Sequence, residues 1–583
     1  MANELVEFED NDAYMDVDVI IEKEDRMDIN EPIIKQKKRK HLHLINNQVL
    51  PNRVDYLTIE RFRNVSICGN LHSGKTCLID YLLSTSHAQV NKFTDHHILE
   101  FDRKISIKST PISIQVGNTK TMQFNLIDYP GHSGCIYEYQ NLQMTDGCCV
   151  VVDVVEGLLM STKTSIEYCI KLNIPFVVVL NKMDRLIIEL KLPPNDAYQK
   201  IQVVLNDINR YIKQIGGTIA HRIHPLKNNV IFSSFAHGWC FSLKSFAESY
   251  LVKSKYKLTV DQLKSRLWGD FAYKNGSFVH SQEQSSFSDF ILEPIYKVYG
   301  IILGDPMDHV KAFIANMNIK LPHSTYKESP TIIAKVVMQH WMGNPQPLID
   351  LLSELPPPNP TLLLNMMPNT KHALYKSIAL SSPTDTTIVH ISSMYYYDNL
   401  LAFGRVVSGT LMPGQKLRIN VNNESFVEII NDLYLPFART LVPINKASIG
   451  EFVLLRVSEH VRPNILMVSV DYSDPILNPT PLYIKDPKWL YIAIEPRLPS
   501  NLPKLLNNVI IITRIYSGIE FRKQDSGEYG LYGANEFVMD CVLHDLRFIC
   551  EFDVRVSDPI AKLRETVLES SQIQCQSISP NLK

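Results

Sequence analysis

The sequence predicts a multidomain α/β protein: a parallel sheet with helices on both faces and a helical insertion, then a β-barrel, then an α+β domain. Three observations lead there. From about residue 58 apolar strands alternate with helical stretches, the sign of a doubly wound sheet. The run Leu355–Pro360, "LPPPNP", breaks the chain, and short strands dominate beyond about residue 383. Finally, 583 residues exceed what a single core organises.

The strands of the first region are "RNVSIC", "TMQFNLID", "GCCVVVDVV" and "IPFVVVLN". They are rich in Val and Ile and nearly unbroken, as strands covered on both faces must be. Helical spacing marks "KTCLIDYLL", "MSTKTSIEYCIKLN" and "NDAYQKIQVVLNDINRYIKQI" between them. Residues 243 to about 350 read as mostly helical and carry no nucleotide motif. The strands "TTIVHISSMYYY", "LLAFGRVVSGTLM", "QKLRINV" and "EFVLLRVS" read as a small barrel. A Pro-rich stretch at 474–487 closes it, and 488–570 mixes strands with helices.

A net charge of -2 conceals an asymmetry: residues 1–30 hold eleven Asp/Glu against two Lys/Arg. So acidic a head reads as a disordered tail, aiding either solubility or docking. The basic run Lys35-Gln36-Lys37-Lys38-Arg39-Lys40 reads as a nuclear address, a nucleic-acid contact or a solvated linker. Ten cysteines without a Cys-x-x-Cys pair argue against a disulfide framework or a structural zinc site. The acidic start is no signal peptide, and Asp153 and Glu156 interrupt the longest apolar run. The expectation is a protein of a reducing compartment, cytosol or nucleus, with no membrane partner.

Three motifs carry the chemistry. Gly69-Asn70-Leu71-His72-Ser73-Gly74-Lys75-Thr76 fits G-x-x-x-x-G-K-[ST] between a strand and a helix. Its glycines let backbone N–H groups curl around phosphates, Lys75 reaches the β- and γ-phosphates, and the Thr76 hydroxyl suits Mg²⁺. Asp128-Tyr129-Pro130-Gly131-His132 ends a strand. There Asp128 can hold Mg²⁺ through water and Gly131 can offer its N–H to the γ-phosphate; the alternative is a turn-forming Asp. Asn181-Lys182-Met183-Asp184 follows another strand. Asp184 can accept from the guanine N1–H and 2-amino group, an edge adenine lacks, while Asn181 fixes the loop and the Lys182 stem lies along the ring. Its alternative is a helix cap. The order and spacing of all three are those of a GTPase, so the cofactors expected are GTP/GDP and Mg²⁺.

These motifs resemble the translational GTPases. The stretches "RLIIELKLPPNDAYQKI", "HGWCFSLKSFAESY", "LWGDFAY" and "SDFILEPIYKVYG" are similar to elongation factor 2 and its spliceosomal paralogue, the GTPase of the U5 small nuclear ribonucleoprotein (snRNP). "EPIIKQKKRK" behind an acidic head, the residues at 188–198 and "FILEPIYK" favour the spliceosomal branch, and "LLAFGRVVSGTLMPGQ" and "DSGEYGLYGANEFVMDCVLHDLR" are similar to the second and third domains of both. The resemblance implies that His132 positions the attacking water, though a histidine at such a turn is often structural. It places Ser106, in "DRKISIKSTP", where the first switch offers its Mg²⁺-binding hydroxyl, and puts the guanine-contacting loop at Ser233-Ser234-Phe235, with Ser234 and Phe235 lending backbone N–H groups. Lys104 stands where a small residue is usual, and Tyr129 where the family has Thr or Ser.

The domains expected are a head at 1–57, a GTPase domain at 58–370 with its insertion at about 243–350, a barrel at 383–487, an α+β domain at 488–570, and at 571–583 the start of a fourth domain. The resemblance implies a nuclear switch of U5 particles, controlling spliceosome activation and disassembly. Its partners there are U5 RNA, a large scaffold protein and an RNA helicase. A ribosomal translocase and a non-hydrolysing GTP-holding scaffold remain the alternatives.

Overall fold

The computed structural model describes residues 58–561 except 85–93, 96, 117–120, 254–257, 275–276, 282–283, 384, 398, 423, 439, 485–487 and 551. Ahead of these it describes two short strands, Val19–Ile21 and Ile34–Gln36. They pair antiparallel, Val19 opposite Gln36, inside the head whose composition predicts disorder. Val19, Ile20, Ile21 and Ile34 have the β-branched side chains that favour pairing, a local preference that average acidity hides. The basic residues 37–40 and residues 571–583 lie outside the described part.

Seven strands form the sheet that carries the motifs: β1 (Phe62–Gly69), β2 (Thr110–Val116), β3 (Met122–Asp128), β4 (Gly147–Asp153), β5 (Phe176–Asn181), β6 (Val230–Ser234) and β7 (Trp239–Phe241). Their order is β2-β3-β1-β4-β5-β6-β7. The five central strands are parallel, as the sequence predicts, but the outer two, β2 and β7, run antiparallel to their neighbours, and β2 is met on its other side by the β-rich region, where Ile112 lies opposite Phe437. Both are joined to their neighbours through short connections, which admit only an antiparallel return.

Alternation along β4 shows why these strands are apolar throughout. Cys148, Val150 and Val152 enter one core with the helices Met160–Lys171 and Pro194–Gln214. Cys149 and Val151 enter another with the helices Lys75–Leu83 and Gln346–Ser353. In Pro194–Gln214 the buried positions 197, 201, 204, 205, 208 and 212 recur at helical spacing, and proline starts the helix where its missing N–H costs nothing. The region after β7 is helical, with one addition: Phe271–Lys274 pairs with Ser277–His280 as a hairpin. Four residues per strand are too few to register against a helical background.

Beyond residue 383 the antiparallel hairpin Ile388–Tyr396/Leu400–Ser408 anchors a β-rich region. Val389, Ile391, Val406, Leu417, Val453 and Met467, from five strands, share its core. This region meets the motif-bearing sheet through buried polar groups. The Arg405 guanidinium grips Asp146 with two contacts of 3.1 Å. The Tyr395 hydroxyl donates to the Ser109 carbonyl at 2.7 Å, and the Ser392 hydroxyl donates to Asn141 Oδ1 at 2.6 Å.

The described residues beyond 484 form a second compact unit. Its central strand Leu490–Pro496 pairs with Tyr529–Gly533 and Val554–Val556, and the helices Leu502–Ile515 and Glu536–Cys550 complete an α+β arrangement. Among the described residues, no helix is long and apolar enough to cross a membrane.

Candidate nucleotide-binding site

The phosphate loop is held by backbone that only glycine adopts easily. Gly69 has φ +148°, and a Cβ there would sit 2.3 Å from the Val151 carbonyl oxygen. Gly74 has φ +98° and starts the helix Lys75–Leu83; its Cβ would meet Asn181 Nδ2 at 2.1 Å. Both contacts lie below any real Cβ separation, so these positions admit no side chain. His72 too is left-handed, at φ +58°, and Asn70 and Leu71 complete the curl. The buried Lys75 ammonium bridges the mouth, donating to the carbonyls of Asn70 at 2.8 Å and Gly69 at 3.2 Å. Burial lowers its pKa, with Asp128 opposing. The Ser73 hydroxyl is buried and has no partner.

Asp128 ends β3 beneath this loop. Its Oδ2 accepts from Thr76 Oγ1 at 2.8 Å and from Thr94 Oγ1 at 2.9 Å, while Oδ1 is buried without a partner. Burial pushes its pKa up to about 6. An orphaned carboxylate oxygen beside two hydroxyls is a hard-donor set that fits Mg²⁺. Thr94 was not legible in this role, whereas Ser106, expected here, places its hydroxyl on Asp95 Oδ1 at 3.3 Å. In this conformation the segment turns at Lys104, which takes φ +54° after the helix Ile98–Arg103. A left-handed position is one that a residue without a bulky Cβ adopts most easily.

The loop after Asp128 lies on the phosphate loop: a Cβ at Gly131 would be 2.5 Å from Lys75 Nζ and 2.6 Å from the Leu71 nitrogen. Tyr129 does not crowd the site. Its ring is fully buried against Tyr139, with ring centres 5.7 Å apart. His132 caps the 3-10 helix Ser133–Met144, its Nδ1 accepting from the Gly134 N–H at 3.1 Å. Burial lowers its pKa, and since Nδ1 accepts, the proton of the neutral imidazole is on Nε2.

Asn181, at the end of β5, ties the base loops to the phosphate loop. Its Nδ2 donates to the Ser73 carbonyl at 2.8 Å, and its Oδ1 accepts from the Phe235 N–H at 3.1 Å and from Ser233 Oγ at 3.3 Å. The Phe235 N–H is thus engaged inside the protein, and its ring packs on Tyr81 at 5.4 Å. Ser234 is buried with its hydroxyl unpartnered. Lys182 is left-handed at φ +65° and starts the helix Met183–Ile188. Its ammonium lies 3.0 Å from Asp153 Oδ2, which also takes Arg185 at 2.6 Å. Asp153 carries no motif signal, being read from sequence only as a break in an apolar run. Asp184 sits inside the first turn of that helix and not at its cap, and its Oδ1 is buried without a partner.

A strand-ended phosphate loop, a carboxylate with two hydroxyls and a base loop pinned by one asparagine define a GTP-binding domain. Residues 60–299 match the family model described as the elongation factor Tu GTP binding domain. Along nearly its whole length the chain is, further, similar to proteins named as a pre-mRNA-splicing factor and as components of the U5 small nuclear ribonucleoprotein. It is 31% identical to the pre-mRNA-splicing factor cwf10 of Schizosaccharomyces pombe, over 97% of this chain and 62% of that protein. It is 29% identical to the 110 kDa U5 small nuclear ribonucleoprotein component CLO of Arabidopsis thaliana, over 100% of this chain and 64% of that protein. The chain thus spans less than two thirds of the length of these relatives. In fold it is similar to a crystal structure from Thermus thermophilus, with TM-score 0.50 and 15% identity over 85% of this chain and 67% of that one.

Proposed function

We propose that this protein binds GTP with Mg²⁺, hydrolyses it, and acts as a switch of the U5 particle in pre-mRNA splicing. The observation that carries the nucleotide reading is the half-buried Asp184 carboxylate, whose Oδ1 is buried and unpartnered, on a loop that Asn181 ties to the phosphate loop. A buried unpaired acceptor costs free energy unless a ligand satisfies it, and the guanine N1–H and 2-amino group supply the donors. Lys75 and the loop N–H groups take the β- and γ-phosphates. Thr76 and Asp128 hold Mg²⁺, which when bound neutralises charge on the phosphate oxygens. His132 orients water at the γ-phosphate once the loop through Gly131 withdraws from Lys75.

The splicing role rests on the relatives, whose names are those of a splicing factor and a U5 component. We extend it to a nuclear location and to U5 RNA, a large scaffold protein and an RNA helicase as partners. Recovery of U5 RNA with the tagged chain supports this assignment; recovery of ribosomal RNA in its place overturns it. One observation favours a second reading, GTP as a held structural ligand: His132 is engaged as a helix cap. Single-turnover hydrolysis by purified protein decides between the two.

A further inference from the structure

Behind the Asp184 carboxylate lies a polar relay that belongs to none of the three motifs. The chain turns sharply from β6 to β7, where Ser234 pairs with Trp239. The His237 N–H donates to the Ser234 carbonyl at 3.1 Å, and the Gly238 N–H to the Phe235 carbonyl at 3.1 Å. Gly238 has φ +70°, and a Cβ there would strike the Gln339 side chain at 2.4 Å. The turn is therefore fixed from both sides, and it aims the imidazole of His237 at the base loop. Nε2 lies 4.0 Å from Asp184 Oδ2, while Nδ1 lies 2.7 Å from the Tyr299 hydroxyl. Tyr299, on the helix Glu293–Gly304, is fully buried, and so is Trp239, whose indole N–H donates to the same hydroxyl at 3.1 Å.

The proton inventory fixes the direction of this relay. Indole N–H can only donate, so it occupies a lone pair of the Tyr299 oxygen. The phenol then has one proton to give, and the facing acceptor is Nδ1. The imidazole proton accordingly resides on Nε2, towards Asp184. The opposite tautomer would turn a nitrogen lone pair on the carboxylate and leave the phenol proton without this acceptor. At 4.0 Å the N–H acts on Oδ2 as an oriented dipole and not as a hydrogen bond. It draws Oδ2 to one side and so fixes the position of Oδ1, the buried and unpartnered oxygen.

We infer that His237 is a positioning residue for base selection: through the Trp239–Tyr299 relay it fixes the rotation of the Asp184 carboxylate that reads the guanine edge. The inference rests on the proposed guanine reading of Asp184 and adds a residue to it.

The test compares GTP with ITP, whose base keeps N1–H and lacks the 2-amino group. A carboxylate held in one rotation favours GTP; a freed one loses that advantage. In the full chain, His237→Ala should narrow the ratio of ITP to GTP dissociation constants by about fivefold, since roughly 1 kcal/mol corresponds to that factor. His237→Gln retains an N–H near the position of Nε2 and should restore the ratio to within about twofold. Tyr299→Phe removes the proton given to Nδ1 and should narrow the ratio in the same direction, by less. Loosened packing alone would weaken GTP and ITP equally and leave the ratio unmoved. Should His237→Ala fail to fold, the Gln and Tyr299→Phe variants carry the comparison. An unchanged ratio in the folded variants overturns the inference. Asp184→Asn separates the two layers: if it does not turn preference towards xanthosine triphosphate, the guanine reading itself fails; if it does, while the His237 variants keep the GTP/ITP ratio, only the relay fails.

Discussion

Replacing Arg405 with Met tests how the β-rich region is joined to the motif-bearing sheet. Asp146 is buried there. Its carboxylate takes two contacts of 3.1 Å from Arg405, one from Asn64 Nδ2 at 3.0 Å and one from the Asn359 N–H at 2.8 Å. Arg405 also donates to the Met144 carbonyl at 3.1 Å. Burial raises the Asp146 pKa, and the guanidinium is the first influence opposing it. Methionine fills much of the arginine volume, so the dominant loss is the counter-charge. Breaking a buried pair from one side costs about 3–5 kcal/mol, against about 0–1 kcal/mol for an exposed pair. The sign with pH follows. Without Arg405 the folded-state pKa of Asp146 rises further above its unfolded value, so the folded chain binds the proton more tightly and the deficit shrinks as pH falls. Denaturant unfolding followed by fluorescence of Trp239, Trp268 and Trp341 measures it. The expected result is a loss of several kcal/mol at about pH 7.5, smaller at about pH 5.5, with at least half recovered by adding Asp146→Asn. A loss below about 1 kcal/mol, or one independent of pH, refutes the reasoning.

Other outcomes follow from the site. His132→Ala should leave GTP affinity nearly unchanged and slow single-turnover hydrolysis about 10²–10⁴-fold; equal rates would remove the histidine from the mechanism. Asp128 must lose its proton to hold Mg²⁺, and burial pushes its pKa up to about 6. Mg²⁺-dependent nucleotide binding should therefore weaken as pH falls through about 6, with protons released on Mg²⁺ addition below that pH; a flat profile between about pH 5 and 7.5 contradicts the assignment. Changing Lys37, Lys38, Arg39 and Lys40 together to Ala should move a tagged chain from nucleus to cytoplasm with GTP binding intact, and unchanged accumulation assigns import to another signal.

The parallel core was legible because burial on both faces leaves strands such as "GCCVVVDVV" with almost no polar residue. The phosphate loop was legible because its glycines are dictated by contacts of 2.1–2.3 Å that no other residue survives. What sequence reading missed has a different physical origin. Thr94 reaches Asp128 across 34 positions, and Asp153 reaches Lys182 across the mouth between two strands, and neither residue type is rare enough to stand out. Ser106 was placed by resemblance to a family position, but the hydroxyl found on Asp128 in this conformation is that of Thr94. Tyr129 stands where the family has Thr or Ser, yet strand geometry sends its ring into the core. His237 is one polar residue in a turn, and its meaning appears only when Trp239, Tyr299 and Asp184 are brought around it.

The central claim is that Asp184 reads guanine, and titration of GTP and xanthosine triphosphate against the wild type and Asp184→Asn tests it most directly. In the proposed reading the half-buried carboxylate, its Oδ1 enclosed, would accept two charged hydrogen bonds, each worth about 1.5–3 kcal/mol. Asparagine turns one acceptor into a donor that meets the 2-amino group of guanine but suits the carbonyl of xanthine. GTP affinity should fall by about 10²-fold or more, and xanthosine triphosphate affinity should rise, while Lys75 and Thr76 keep their hold on phosphate and Mg²⁺. A variant that still prefers GTP contradicts the account, because the base would then be read by some other edge of the pocket.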